Sequence, residues 1–159
     1  YRYAEVLLIN AEAHAELGDI SQSILDKTIN KLRDRVEMAH LTMNPVADAA
    51  PVNYGYQLSN LLYEIRRERR IELVAENHRL DDLKRWKTAE TEMPQDILGV
   101  KWKGTEYETT WSKCPHPRND DGILVLETGR KWAEKNYLFP LPKDQLQLNP
   151  NLKQNPGWE

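Results

Sequence analysis

Two helical apolar stripes separated by a single glycine narrow the possible folds more than any other feature of this chain. From Tyr3 to Leu17, residues Ala4, Leu7, Leu8, Ala11 and Ala15 recur at three- and four-residue spacing, which aligns them along one side of a helix. The stripe is rich in alanine, so a second helix can approach closely. Gly18 supplies a left-handed stop. Asp19 is placed to cap the next helix, with Gln22 three residues on completing a capping-box-like start. Leu25, Ile29, Leu32 and Val36 then share one face, and Asn44-Pro45 lies beyond its end. Two helices joined by one tight turn form an antiparallel hairpin.

The hairpin has the length of a tetratricopeptide-like unit, whose repeat is ~34 residues. One such unit cannot bury its own outer face, so neighbouring helices are expected. Residues 41–56 carry Pro45, Pro51 and Gly55 and read as a surface loop. A third helix is predicted over about 57–76, with Leu58, Leu61, Leu62 and Ile65 as its first apolar stripe. At helical spacing that stripe continues into Glu68, Arg69, Glu72, Leu73 and Glu76, which are mostly charged. Asn77-His78 breaks the helix, and a short fourth one is predicted from Leu80 to Lys87. Beyond Met93-Pro94 the periodicity fades. Residues 122–127 read as one short strand, with 100–107 a weaker candidate. The tail from Tyr137 is punctuated by proline, with a possible helical turn at 143–146.

The chain has 159 residues, enough for one domain with a sizeable core. Its formal net charge of −3 argues against a nucleic-acid binder, which would show a basic face. Its single cysteine, Cys114, excludes an internal disulfide. Cys114 and His116 do not by themselves make a zinc site, and His14, His40 and His78 have no metal-binding spacing. No glycine-rich phosphate loop is present, so no cofactor is expected. No apolar run approaches the ~20 residues needed to span a bilayer. The chain opens inside a helical pattern without an initiator methionine and is expected to be a piece of a longer protein.

The charged helix invites a catalytic reading, because carboxylates one turn apart can act as an acid–base pair. Arg66, Arg67, Arg69 and Arg70 surround them, however, and nearby guanidinium groups keep carboxylates ionised and poor proton donors. A structural ion-pair network of Glu68, Arg69, Glu72, Arg79 and Asp82 is therefore expected. In it Arg69 and Glu72 would bond across to the first helix or the tail, and Arg79 would pair with Asp82. Trp86 is read as core packing. Tyr137, Phe139, Pro140, Pro142 and Trp158 read as a structural strap, with Tyr137, Phe139 and Trp158 among the pegs that hold an extended backbone poor in donors. Trp102, Tyr107 and Trp111 lie in an irregular polar loop and are the candidate ligand-binding rings, since a planar ring suits the apolar face of a sugar.

Three segments together resemble the SusD/RagB family. The first is Tyr1-Arg2-Tyr3-Ala4-Glu5-Val6-Leu7-Leu8 with Ala11-Glu12-Ala13 and Glu16-Leu17-Gly18-Asp19. The second runs Ile65-Arg66-Arg67-Glu68-Arg69-Arg70-Ile71-Glu72-Leu73, then Glu76-Asn77-His78-Arg79 and Asp82-Leu83-Lys84-Arg85-Trp86. The third is Tyr137-Leu138-Phe139-Pro140-Leu141-Pro142-Lys143 with Gln154-Asn155-Pro156-Gly157-Trp158. The resemblance implies an all-α fold of tetratricopeptide-like helix hairpins, a SusD-like superhelix, with long irregular loops and an extended C-terminal strap. It places the chain as the C-terminal SusD/RagB domain over residues 1–159, helical over residues 1–88 and loop-rich over residues 89–159. It implies a non-enzymatic protein, held at the outer-membrane cell surface by an N-terminal lipid anchor outside this chain. Such a protein binds an oligosaccharide, polysaccharide or other nutrient oligomer and delivers it to a SusC-like TonB-dependent transporter. A helical-repeat scaffold for protein–protein interaction is the alternative.

Overall fold

The computed structural model describes residues 2–110 and 113–159. The chain divides into two compact units, residues 1–85 and 86–159.

The first unit is helical: α1 (Tyr3–Leu17), α2 (Gln22–Lys27), α3 (Ile29–Arg35), α4 (Asn60–Glu72) and α5 (Arg79–Arg85). Gly18 ends α1 at φ 77°, where its N–H and that of Asp19 reach the carbonyls of Ala15 and His14. Ser21, not Asp19, caps α2, its hydroxyl accepting the Ile24 N–H. Asp19 turns instead to His14 Nδ1 at 2.8 Å. The single helix expected here is two, because Thr28 leaves helical geometry (φ −123°, ψ −91°) and its hydroxyl donates back to the Ile24 carbonyl.

Leu8, Leu25, Ile29 and Ile65 are completely buried, and Leu7, Ala11, Leu32, Leu41 and Leu73 close the same cluster around them. The predicted stripes of α1 and of the α2–α3 segment supply most of this core. Val36 departs from it, at 54% exposed, because α3 has already ended. Asn30 is fully buried and satisfied: it accepts the Leu41 N–H at 2.7 Å and donates to the Leu41 carbonyl and to Asp26. That clamp draws the chain after α3 back against the helix. Ser59 caps α4 by accepting the Leu62 N–H. The helix is shorter than predicted, stopping at Glu72, because Ala75 and Asn77 take left-handed backbone (φ 63° and 65°).

The second unit holds α6 (Ala89–Glu92), β1 (Ile97–Lys101), α7 (Glu106–Thr110), β2 (Ile123–Glu127), a 3₁₀ turn (Glu134–Tyr137) and α8 (Lys143–Leu148). The chain is thus mostly helical, and the all-α expectation is corrected by one antiparallel pair of strands, β1 with β2. The pairing is irregular, running Ile97 to Glu127, Leu98 to Val125 and Lys101 to Ile123 with bulges between. The first strand lies at 97–101 rather than 100–107. Pro117 and Asn119 bond to the other edge of β2, through Val125 N–H to Pro117 and Asn119 N–H to the Ile123 carbonyl.

Tail residues 135–141 and 154–158 bond to one another. Gln154 both donates to and accepts from the Leu141 backbone, Asn155 donates to the Phe139 carbonyl, and Trp158 Nε1 donates to the carbonyls of Lys135 and Leu138. Side chains of Gln154, Asn155 and Trp158 thus hold this segment, and Phe139 is 72% exposed.

Gly122 sits at φ 75°, where the carbonyl of this residue accepts the N–H groups of Trp102 and Lys103. A Cβ here would fall 2.3 Å from that of Lys103. Gly122→Ala therefore combines a backbone penalty with a clash, and is expected to cost about 1–3 kcal/mol in the second unit. Limited proteolysis of the intact protein should cut residues 86–159 faster in this variant. Equal rates would contradict the account.

Candidate functional site

The charged face of α4 is tied to neighbouring elements by ion pairs. Arg33 of α3 forks onto Glu68 at 2.8 and 3.0 Å and also donates to the Ala39 carbonyl. Glu72 is gripped by Arg2 at 2.5 Å and by Arg35 at 2.7 Å, and Arg2 continues to Glu76. Burial works to raise the Glu72 pKa, but the hydrogen bonds from Arg2 and Arg35 outweigh it and hold the group below its usual value. Glu76 is lowered by its hydrogen bonds from Arg2. Carboxylates fixed in the ionised form by arginines are poor proton donors, so this face offers no acid–base pair.

Arg69 grips Asp82 of α5 with Nε, 3.0 and 2.9 Å from its two oxygens, and both side chains are buried. The expected reach of Arg69 to the first helix or the tail is replaced by this α4–α5 tie. Arg85 also bonds Asp82, at 2.9 Å. Arg85 also forks onto Glu12 of α1 at 2.5 and 2.9 Å. Arg79 lies in hydrogen-bonding reach of the Tyr54 hydroxyl. Glu12, whose side chain is 5% exposed, also faces Arg66 Nε at 3.4 Å, and Arg66 reaches Glu16 at 2.6 Å. Two carboxylates of α1 thus lock into α4 and α5. Sequence spacing does not show these partners, because the pairs are more than 45 residues apart.

The described rings among the expected ligand-binding residues differ in exposure. Trp102 is 1% exposed, with the Arg118 guanidinium 4.8 Å from its ring centre. The ring is buried and presents no open face to a sugar, and the Trp102 N–H donates to the Gly122 carbonyl at 2.8 Å. Tyr107 is half-buried on α7. Trp111 lies outside the described residues. Trp86 is buried. Tyr137 stacks edge-on against Trp132 at 5.2 Å and donates its hydroxyl to Glu90. Burial, then that hydrogen bond, push its pKa up to about 12.

A different aromatic group forms within the segment read as a plain loop. Tyr54, Tyr56 and Tyr63 line a cleft of about 370 Å³ together with Asp48, Asn53 and Gln57. Tyr54 and Tyr63 are nearly buried and meet edge-to-face at 6.0 Å, whereas Tyr56 is 43% exposed. Arg66 stands 5.9 Å from the ring centres of both Tyr54 and Tyr56 and donates to the Tyr56 hydroxyl at 2.7 Å. Tyr63 donates to Asp48 at 2.9 Å and accepts the Val52 N–H. The signal was present in Asn53-Tyr54-Gly55-Tyr56, aromatic residues in a polar, irregular stretch.

The SusD family model matches residues 1–158. The chain belongs to the SusD family. A SusD-like protein P2 of Formosa agariphila is 33% identical over 158 residues, covering 99% of this chain and 25% of that protein. A SusD-like carbohydrate-binding protein of Bacteroides fragilis, solved by crystallography, is 33% identical with a TM-score of 0.67, over 96% of this chain and 28% of that one. A second SusD-like protein of the same organism is 30% identical with a TM-score of 0.63, over 98% and 25%. This SusD-family chain therefore spans about a quarter of the length of its relatives.

Among the described residues no group of histidine, cysteine and carboxylate side chains is placed to hold a metal ion. What the charged residues of this SusD-family chain do is tie helices together. Removing one partner of a buried ion pair strands the other, at about 3–5 kcal/mol. Arg69→Ala in the intact protein is expected to lower unfolding stability by that amount in urea titration. An unchanged midpoint would show that the Arg69–Asp82 tie carries no weight.

Proposed function

We propose that the full-length protein is a non-catalytic glycan-binding protein of the outer-membrane surface that hands its ligand to a SusC-like TonB-dependent transporter. The observation that carries this reading is the likeness over 96% of the chain to a SusD-like carbohydrate-binding protein, with 33% identity. The chemistry of the chain agrees with it. Its clustered carboxylates are committed to arginines, and its accessible polar aromatic cleft has the composition of a binding surface rather than a reacting centre.

Within that reading, the hairpin of α1 with α2 and α3 is one tetratricopeptide-like unit of a longer superhelix. Tyr3, Val6 and Ile9 support this, being 65%, 58% and 51% exposed along the outer side of α1, where a neighbouring helix pair would cover them. The prolines of the tail and its bonds to Gln154 and Asn155 suit a strap that closes the C-terminal end. Residues 1–159 then form the C-terminal domain, helical over residues 1–88 and loop-rich over residues 89–159, and a lipid anchor on the N-terminal portion fixes the protein to the membrane. The helical-repeat scaffold has no observation that favours it over this reading.

Native gels cast with amylopectin, xylan, galactomannan, mixed-linkage β-glucan or polygalacturonate test the function on the full-length protein. At least one polysaccharide is expected to retard migration, with no new reducing ends released on incubation. Migration unaffected by all five would contradict glycan binding, and released reducing ends would contradict a non-catalytic role.

A further inference from the structure

We infer that the cleft between Asp48 and Tyr63 is a subsite for a neutral sugar unit of the glycan. The inference rests on the glycan-binding reading and names a place and a ligand class for it. The volume, about 370 Å³, lies in the range of small-molecule sites, ~300–1,000 Å³. No lysine, arginine or histidine lines the cleft, and its one charged lining residue is Asp48.

Asp48 is held ionised. The Ala50 N–H, then the Tyr63 hydroxyl, bond its two oxygens at 3.0 and 2.9 Å and lower its pKa. Each carboxylate oxygen keeps a further lone pair, so the group can still accept from a ligand hydroxyl. An anionic sugar would meet this carboxylate and no cation on the lining itself.

The amides complete the set. The Asn53 side-chain oxygen accepts the Gly55 N–H at 2.8 Å, which leaves its NH₂ to donate outward. Asn60 donates to the Pro45 carbonyl at 3.4 Å, leaving its oxygen to accept. Gln57 is exposed on the rim of the same cleft and offers both a donor and an acceptor. Sugar hydroxyls act as donor and acceptor at once, and this lining supplies both kinds. Above them Tyr56 presents a partly exposed ring to the apolar face of a pyranose. The ring is set in advance, because Arg66 is bonded to its hydroxyl and anchored by Glu16. Pre-set groups lose less freedom on binding.

The same polysaccharide gels separate this inference from the reading it rests on, using the full-length wild type, Tyr56→Ala and an Asn53→Ala/Gln57→Ala double variant. Asn53 and Gln57 are exposed, so the double variant should melt like the wild type, whereas Tyr56→Ala also removes a partner of Arg66 and is compared at a temperature where its melt shows it folded. A neutral polysaccharide is expected to retard the wild type, and each variant should bind it about tenfold more weakly or worse. Wild-type and variant affinities within twofold would overturn the subsite and leave glycan binding intact. Retardation by polygalacturonate alone would do the same. No retardation by any polysaccharide would remove glycan binding, and the subsite with it.

Discussion

The first unit depends on Arg66, the point at which α1, α4 and the long loop are joined. From the middle of α4 the side chain meets Glu12 and Glu16 of α1 on one side and the rings of Tyr54 and Tyr56 on the other. Burial opposes its charge, yet hydrogen bonds to Tyr56 and Glu16 raise its pKa further, so it stays a cation inside the fold. A buried charge is tolerated only where partners surround it. Glu12 meets the same need from its own side by sharing Arg66 and Arg85.

This arrangement explains why the helix motif is so heavily charged without forming a reactive centre. The apolar cluster of Leu8, Leu25, Ile29 and Ile65 supplies burial but little orientation. Charge-assisted hydrogen bonds are directional, and they set α4 and α5 against α1 and α3 through Arg33–Glu68, Arg69–Asp82 and the two-pronged Arg85–Glu12 pair. The Tyr54–Tyr56 segment then inherits its position from the same framework. Scaffold and cleft are two ends of one network.

Much of the helical frame was legible in the sequence because it is local. The stripes of α1 and of the following segment, the Gly18 stop and the charged α4 follow from spacing alone. The Thr28 break and the Ser21 cap were not, since a single hydroxyl–carbonyl or hydroxyl–amide bond decides each. The Arg69–Asp82 pair is hidden from the sequence for a different reason. Spacing reveals neighbours on one helix, whereas Asp82 meets Arg69 from another, and the family motif names the residues without saying what they touch. Trp102 shows the limit of reading aromatics by context: its loop is irregular, yet the ring is buried. Tyr54 and Tyr56 fit the same rule, but Pro45, Pro51 and Gly55 around them signal only a loop.

Hydrogen exchange by mass spectrometry on the intact protein and its Arg66→Met variant, which keeps the length and removes the charge, tests the central claim most directly. If Arg66 joins the scaffold to the cleft, exchange across residues 47–59 should accelerate about tenfold or more in the variant. Unchanged exchange in that segment would mean that the tyrosine cleft holds its shape without the charged network, and would contradict the account.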